Sequence, residues 1–339
     1  MSVGLASKGF EVFVSCESSF FRLHPYSTYK NVNIVFFPII NSVRVLGEFI
    51  YDTLAIIWAS LKVDIIYMLG YASVTSLIIP KLLGKVVIVN VDGLEWKRKK
   101  FHPILQFILK GFEKITTRIA NYVVVDSYNI GDYYKKTYNI TPIYIPNGVR
   151  KIDPFPSISD KFNLNDGEYY LVVARLEPEN NIDLIIKGFI ESKSSKKLII
   201  VGGTKKTDYI KDLFKITRDE GNILFVGGIY DKKLLMTLRF YCFAYIHGHE
   251  VGGTNPSLLE ALSNRNVTLA YDVSYNREVA KDSALYFKTS GDLASSINKL
   301  ESSPGLYEQM KKSAFSNYLE NYEVSNMVVS FERLLKIII

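Results

Sequence analysis

Short apolar runs alternate with longer amphipathic segments along almost the whole chain, and the alternation happens twice. The first series has runs at 32–37 (VNIVFF), 64–69 (DIIYML), 85–91 (KVVIVNV), 123–126 (VVVD) and 143–149 (IYIPNGV). The second has runs at 168–176 (EYYLVVARL), 197–203 (KLIIVGG), 222–228 (NILFVGG), 242–247 (CFAYIH), 267–272 (VTLAYD) and 284–287 (ALYF). Runs that are apolar throughout, and not at every second residue, fit strands buried on both faces. Strands of that kind belong to parallel sheets covered by helices. The spacing predicts helices at 42–61, 73–83 and 103–121 in the first series. In the second it predicts them at 181–192, 207–220, 232–240, 291–301 and 304–321.

With 339 residues the chain can form two such domains. The expected division is 1–149 plus 322–339 for the first domain, 150–166 (RKIDPFPSISDKFNLND) for a linker, and 167–321 for the second. A last helix at about 325–337 carries an apolar face of Met327, Val328, Phe331, Leu334 and Leu335. Two α/β halves of this kind bind ligands in the crevice at the C-terminal ends of their strands.

The chain opens on what reads as the end of a helix (2–8), a glycine C-cap (Gly9) and a strand (10–16). A doubly wound domain begins with a strand and a glycine loop ahead of such a helix. The expectation is therefore a shortened start, with an N-terminal half that folds poorly.

Composition limits the partners. A net charge of +7 favours an anionic one: a phosphorylated substrate, a membrane surface or nucleic acid. No nucleic-acid recognition motif is present, so that class ranks last. Cys16 and Cys242 lie far apart in apolar strands and read as reduced, buried thiols. The most apolar long stretch, 63–91, is interrupted by Asp64, Gly70, Pro80, Lys81, Gly84 and Lys85, so it does not read as a membrane span. The N-terminus lacks the basic segment and apolar core of a signal peptide.

One stretch carries chemistry more clearly than any other: HGHEVGGTNPSLLEAL, residues 247–262. A strand, a glycine-rich turn and a helix start follow one another there. Pro256 stands near the first helical position, and Asn255 or Ser257 is available as cap. Glycines let a backbone approach a ligand closely. Free N–H groups and the helix dipole then favour a phosphate. Glu260, about one turn into the helix, can accept a hydrogen bond from a sugar hydroxyl. Together these are the parts of a nucleotide-sugar site.

The wording GGTNPSLLEA (252–261), followed by LAYDVSYNREV (269–279), resembles the donor site of family-4 glycosyltransferases of the two-domain GT-B fold. Within that family it is similar to bacterial rhamnosyltransferases that build capsule, O-antigen and rhamnan chains. The resemblance implies an α/β fold with two Rossmann-like domains whose parallel sheets face each other across a cleft. It also implies that relatives carry a further strand and glycine turn upstream of residue 1. It places Glu260 on the donor ribose, so Glu260→Ala is expected to lose donor binding and keep the fold.

The loop Gly252, Gly253, Thr254, Asn255 is expected on the pyrophosphate. Many family members have a first glutamate eight residues before the second. Gly252 stands there in this chain, and Glu250 is out of register. Arg175 matches the family's phosphate arginine, and its alternative is an ion pair with Glu177 or Glu179. The lysine that usually follows is replaced by Asn180 or Asn181. Gly202, Gly228 and Ile229 fall where relatives hold the base; their alternative is plain turn duty. His247 and His249 flank the donor loop.

In the first half, NVDGLEWKRKKF (90–101) follows a strand end. Asp92 is a candidate for the acceptor hydroxyl or for base work, or else a turn aspartate. Trp96 with Lys97, Arg98, Lys99 and Lys100 makes a basic and aromatic cluster that fits an anionic membrane and a lipid-linked acceptor, or else a solvated charge run. The four histidines show no metal-ligand spacing, so no metal and no cofactor are expected.

The implied function is a retaining glycosyltransferase. Its donor is dTDP-L-rhamnose or another nucleotide sugar, its acceptor a lipid-linked glycan. It would act as a cytoplasmic protein at the inner face of the membrane. The alternatives are a UDP- or GDP-hexose transferase, an epimerase, and a non-catalytic, membrane-associated binding subunit or remnant.

Overall fold

The computed structural model describes residues 1–18, 27–39, 44–91, 93–97, 102–157, 164–204, 207–251 and 253–339. The chain forms two units. One comprises Met1–Pro146 and Ser325–Ile339, the other Asn147–Val324.

The first unit runs α1 (Ser2–Ala6), β1 (Val12–Glu17), β2 (Thr28–Tyr29), β3 (Val32–Phe37), α2 (Arg44–Lys62), β4 (Ile65–Leu69), α3 (Ile78–Leu82), β5 (Val86–Asn90), α4 (Pro103–Ile119), β6 (Tyr122–Val125), α5 (Tyr128–Tyr138) and β7 (Ile143–Tyr144). Its described strands make two sheets. Strands β4-β5-β6-β7 are all parallel, while β1 pairs parallel and β2 antiparallel with β3. The segment predicted as one helix at 73–83 is instead a 3₁₀ turn, Val74–Leu77, followed by α3. Pro80 is the reason: in the first turn of α3 it is tolerated, but it has no N–H to give the carbonyl of Ser76, so the α-helix does not extend back to 73.

The second unit runs β8 (Tyr169–Val173), α6 (Ile182–Ser192), β9 (Lys197–Val201), α7 (Asp208–Ile216), β10 (Ile223–Gly227), α8 (Lys232–Tyr241), β11 (Ala244–His247), α9 (Pro256–Ser263), β12 (Val267–Tyr271), α10 (Ser274–Ala280), β13 (Ala284–Phe287), α11 (Ser290–Glu301) and α12 (Pro304–Asn317). Its sheet has the order β10-β9-β8-β11-β12-β13, with every pairing parallel. The apolar cores of the strands explain this. Tyr170, Leu171, Ile199, Ile246 and Leu269 are fully buried between helix layers. Residues 150–157 of the expected linker lie with this unit.

Helix α13 (Val324–Ile338) returns the chain to the first unit. Val328, Phe331 and Leu334 pack with Leu5, Ile88, Val124 and Ile145, and Phe331 meets Tyr67 edge to face. Cys16 and Cys242 are free thiols, and burial pushes Cys242 up to about 12. Among the described residues no helix is long and apolar enough to cross a membrane.

Candidate donor site

Strand order reverses between β8 and β11, and at such a switch point the loops leaving neighbouring strands diverge and open a crevice. A cavity of about 470 Å³ lies there. Each wall comes from the C-terminal end of a strand. Ala174 and Arg175 follow β8, Gly202 and Gly203 follow β9, Gly228, Ile229 and Tyr230 follow β10, and Gly248 and His249 follow β11. The first turn of α9 closes it with Asn255, Pro256, Ser257 and Glu260.

The cavity thus gathers Arg175, Gly202, Gly228, Ile229, His247, His249, Asn255 and Glu260 from the sequence-predicted residues. Gly253 and Thr254 are not among its lining residues, and Thr254 is buried. Gly252 lies outside the described residues, as do Asp92, Arg98, Lys99 and Lys100.

Close approach explains two glycines. A Cβ on Gly202 would meet the carbonyl of Ala174 and the Leu176 side chain, and one on Gly248 would meet the carbonyl of Asn180. Neither spot has room for a side chain.

The helix start keeps an expected cap but not the expected free N–H groups. Asn255 is the cap, and its side chain accepts from Ser257 N at 2.9 Å. Pro256 has no N–H, and Leu258 N donates to the carbonyl of Asn255 at 3.0 Å. The first-turn donors of α9 are therefore engaged within the helix start, and an anion there would be met by loop amides and the helix dipole.

Asn180 and Asn181, where relatives are expected to carry a lysine, act as struts. Asn180 Nδ2 donates to the carbonyl of Arg175 at 2.9 Å, and its Oδ1 meets His249 Nδ1 at 2.8 Å. Asn181 Nδ2 donates to the carbonyl of Gly248 at 2.9 Å. Asn276, fully buried, donates to the carbonyls of His249 and Tyr271, each at 2.9 Å. Asn180 and Asn181 thus fix the loops after β8 and β11 against each other, and Asn276 ties the β11 loop to the end of β12. Arg175 reaches Glu179 at 3.1 Å and Glu177 at 3.8 Å, so it makes the expected ion pairs and lines the cavity as well.

Beneath the cavity floor lies a residue that the sequence reading missed. Arg239 of α8 is fully buried, and its guanidinium stacks on Tyr245 at 4.6 Å. Its Nη2 donates to Ser257 Oγ at 2.7 Å and to Glu260 Oε2 at 3.2 Å. Its Nε and Nη1 find no hydrogen-bond partner among the described residues. The one signal in the sequence is position: Arg239 follows Leu234, Leu235 and Leu238 at core spacing on α8.

This ion pair argues against the expectation that Glu260→Ala keeps the fold. Glu260 is the carboxylate partner of a buried cation, and removing it strands that charge.

His247 completes the cluster. It is buried, and burial, His249 and Arg239 together hold its imidazole well below the usual histidine range. Nδ1 lies 3.3 Å from Tyr245 Oη, Tyr245 Oη lies 2.8 Å from Ser257 Oγ, and Ser257 donates to the carbonyl of Val173 at 3.2 Å. One allotment of protons satisfies this chain. Ser257 donates to Val173, Tyr245 to Ser257, and His247 Nδ1–H to Tyr245. His247 Nε2, which has no partner among the described residues, then offers a lone pair.

In the first unit, Trp96 is an anchor. Its Nε1 donates to Glu113 at 3.0 Å, and that buried carboxylate also accepts from Tyr133 at 2.7 Å and Tyr138 at 2.6 Å. Lys97 is exposed, with its ammonium 5.4 Å from the Trp96 ring.

Comparison with known proteins agrees with this geometry. Residues 155–317, which hold the whole cavity, match the family "Glycosyl transferases group 1". Residues 6–149 match a domain of unknown function, DUF1972. No curated protein sequence matches the chain.

Among solved structures, sucrose-phosphate synthase from Thermosynechococcus elongatus superposes with a TM-score of 0.82 at 14% identity, over 99% of this chain and 91% of its own. Anabaena HepE in complex with UDP gives 0.76 at 14% identity, over 91% and 87%. A glycosyltransferase from Rickettsia africae gives 0.76 at 14% identity, over 99% and 92%. These likenesses give the fold, which is GT-B. With the group 1 domain around the cavity, the protein is a glycosyltransferase.

Proposed function

We propose that the second unit binds a nucleoside-diphosphate sugar in this cavity, and that the enzyme is a retaining transferase moving L-rhamnose from dTDP-L-rhamnose to a lipid-linked glycan. The observation that carries the reading is the convergence of four strand ends and a helix start on one cavity of about 470 Å³, a size suited to such a donor. Arg175 takes the diphosphate from the cavity wall; Gly253 and Thr254, which do not line the cavity, would reach it only through a shift of their loop. Gly202, Gly228 and Ile229 flank the base, and Glu260 takes a ribose hydroxyl. A dTDP donor offers Glu260 the 3′-hydroxyl alone, since its ribose lacks the 2′-hydroxyl. His247 and His249 stand beside the sugar, and no metal takes part. Asp92 serves the acceptor hydroxyl. The acceptor is held at the inner face of an anionic membrane, with Trp96, Lys97, Arg98, Lys99 and Lys100 beside it.

A second reading, a UDP-hexose donor, is favoured by one observation: HepE was solved with UDP, with UDP and glucose, and with UDP-glucose. A thermal-shift panel of dTDP-rhamnose, UDP-glucose, UDP-N-acetylglucosamine, GDP-mannose and NAD separates the two. A ligand at about 100 times its Kd adds about 2.7 kcal/mol to the unit that binds it. Stabilisation by dTDP-rhamnose alone is the expected result. Stabilisation by UDP-glucose alone replaces the donor, and a cooperative melt that no nucleotide sugar moves removes the transferase reading of this cavity.

A further inference from the structure

Helix α4 has two contrasting faces. Leu109, Glu113, Thr116 and Ile119 are buried, and Leu105, Phe112 and Ile115 pack into the core beside them. On the opposite face, at the same helical spacing, stand Ile104, Phe107 and Ile108, which are 66%, 80% and 43% exposed. Farther along the exposed side come Lys110, Lys114 and Arg118, all open to solvent. The helix has one acid, Glu113, and it is buried and engaged by Trp96, Tyr133 and Tyr138. Lys110 holds its ammonium 4.6 Å from the Trp96 ring, at the edge of the apolar turns. An exposed face with large apolar groups at one end, cations at the other and no acid has the makeup of an interfacial helix.

We propose that this face of α4 is a membrane-docking surface for an anionic bilayer. Ile104, Phe107 and Ile108 enter the boundary between headgroups and acyl chains, and Lys110, Lys114 and Arg118 meet headgroup phosphates. Charge selects this occupant over a second copy of the chain, because pairing α4 with itself sets those cations against their equals. The inference rests on the reading of a membrane-borne acceptor given above and names the surface that reading requires.

The test is co-sedimentation of the full chain with phosphatidylcholine vesicles, with and without phosphatidylglycerol. Binding is expected only when phosphatidylglycerol is present, and it should weaken with salt. I104S/F107S should reduce it by about tenfold or more, because the apolar anchor is lost. K114Q/R118Q should reduce it by about fivefold per cation.

Thermal shifts with dTDP-rhamnose and UDP-glucose on the same variants report the donor cavity separately. Lost vesicle binding with an unchanged nucleotide-sugar shift is the supporting pattern. Absent binding by the parent chain, or binding that both variants keep, overturns the surface and leaves the donor reading standing. A concentration-dependent dimer that I104S/F107S abolishes, without vesicle binding, assigns the face to a second copy and also overturns it.

Discussion

The strands of the two units are made from the same residue types but end in different surroundings. In the second unit the six strands form one continuous parallel sheet, and the centres of β8, β9, β11 and β12 have no exposure. In the first unit the described strands fall into two sheets. None of the six residues of β1 is buried, and Leu69 at the end of β4 is 72% exposed. A strand with neighbours on both sides and helices on both faces is held rigidly. A strand with one neighbour is not. The cavity and its buried polar cluster lie at the ends of the rigid strands, where loops can be fixed to within hydrogen-bond tolerance. The large exposed apolar groups of α4 belong to the other unit.

The largest expected effect tests whether the second unit depends on its buried charge pair. Glu260→Ala should destabilise that unit by about 3–5 kcal/mol in urea unfolding, since Arg239 loses its carboxylate. Replacing both partners, R239M with E260L, should recover most of that loss. A Glu260→Ala chain within about 1 kcal/mol of the parent would show that the pair is dispensable.

A smaller effect tests the close contact of the loops. Gly248→Ala should cost about 1–3 kcal/mol, because a Cβ runs into the carbonyl of Asn180. Gly203→Ala, with nothing within 4 Å of its Cβ position, should stay within about 0.5 kcal/mol. Equal costs would mean that the β11 loop gives way as freely as the open one.

The smallest is a pH effect. His247 is held neutral in the fold, while in the unfolded chain it takes a proton near its ordinary value of 6.5. As pH falls below that value the unfolded state binds more protons, so stability drops by up to about 1.4 kcal/mol per pH unit. Above it the histidine has no effect. His247→Gln should flatten the acid side of the stability curve, and an unchanged slope would place the proton uptake elsewhere.

The periodicity of apolar residues located nearly every element, because burial between two layers leaves a continuous apolar run. It erred where one residue broke the pattern from within, as Pro80 does in the expected helix at 73–83. The cavity lining was legible wherever a residue directly follows a strand, as with Arg175, Gly202, Gly228 and His249. Arg239 was legible only as a residue at core spacing on its helix; LLMTLRFY does not say that the arginine lies beneath Glu260, which stands on another helix. Nor could the sequence show that Asn180 and Asn181 tie two loops together, or that Asn255 and Pro256 leave α9 few free amides.

The sequence alone therefore determined the two α/β units, the strand ends on which ligand chemistry collects, and the residue types gathered there. These follow from local periodicity, glycine turns and helix caps, each of which acts within a few residues along the chain. The tertiary structure decided which polar groups face the cavity, which are spent on one another, and which charge lies buried under Glu260. Those outcomes depend on contacts between elements far apart in sequence, such as Arg239 with Glu260 and Asn181 with Gly248, and no local pattern encodes such distances.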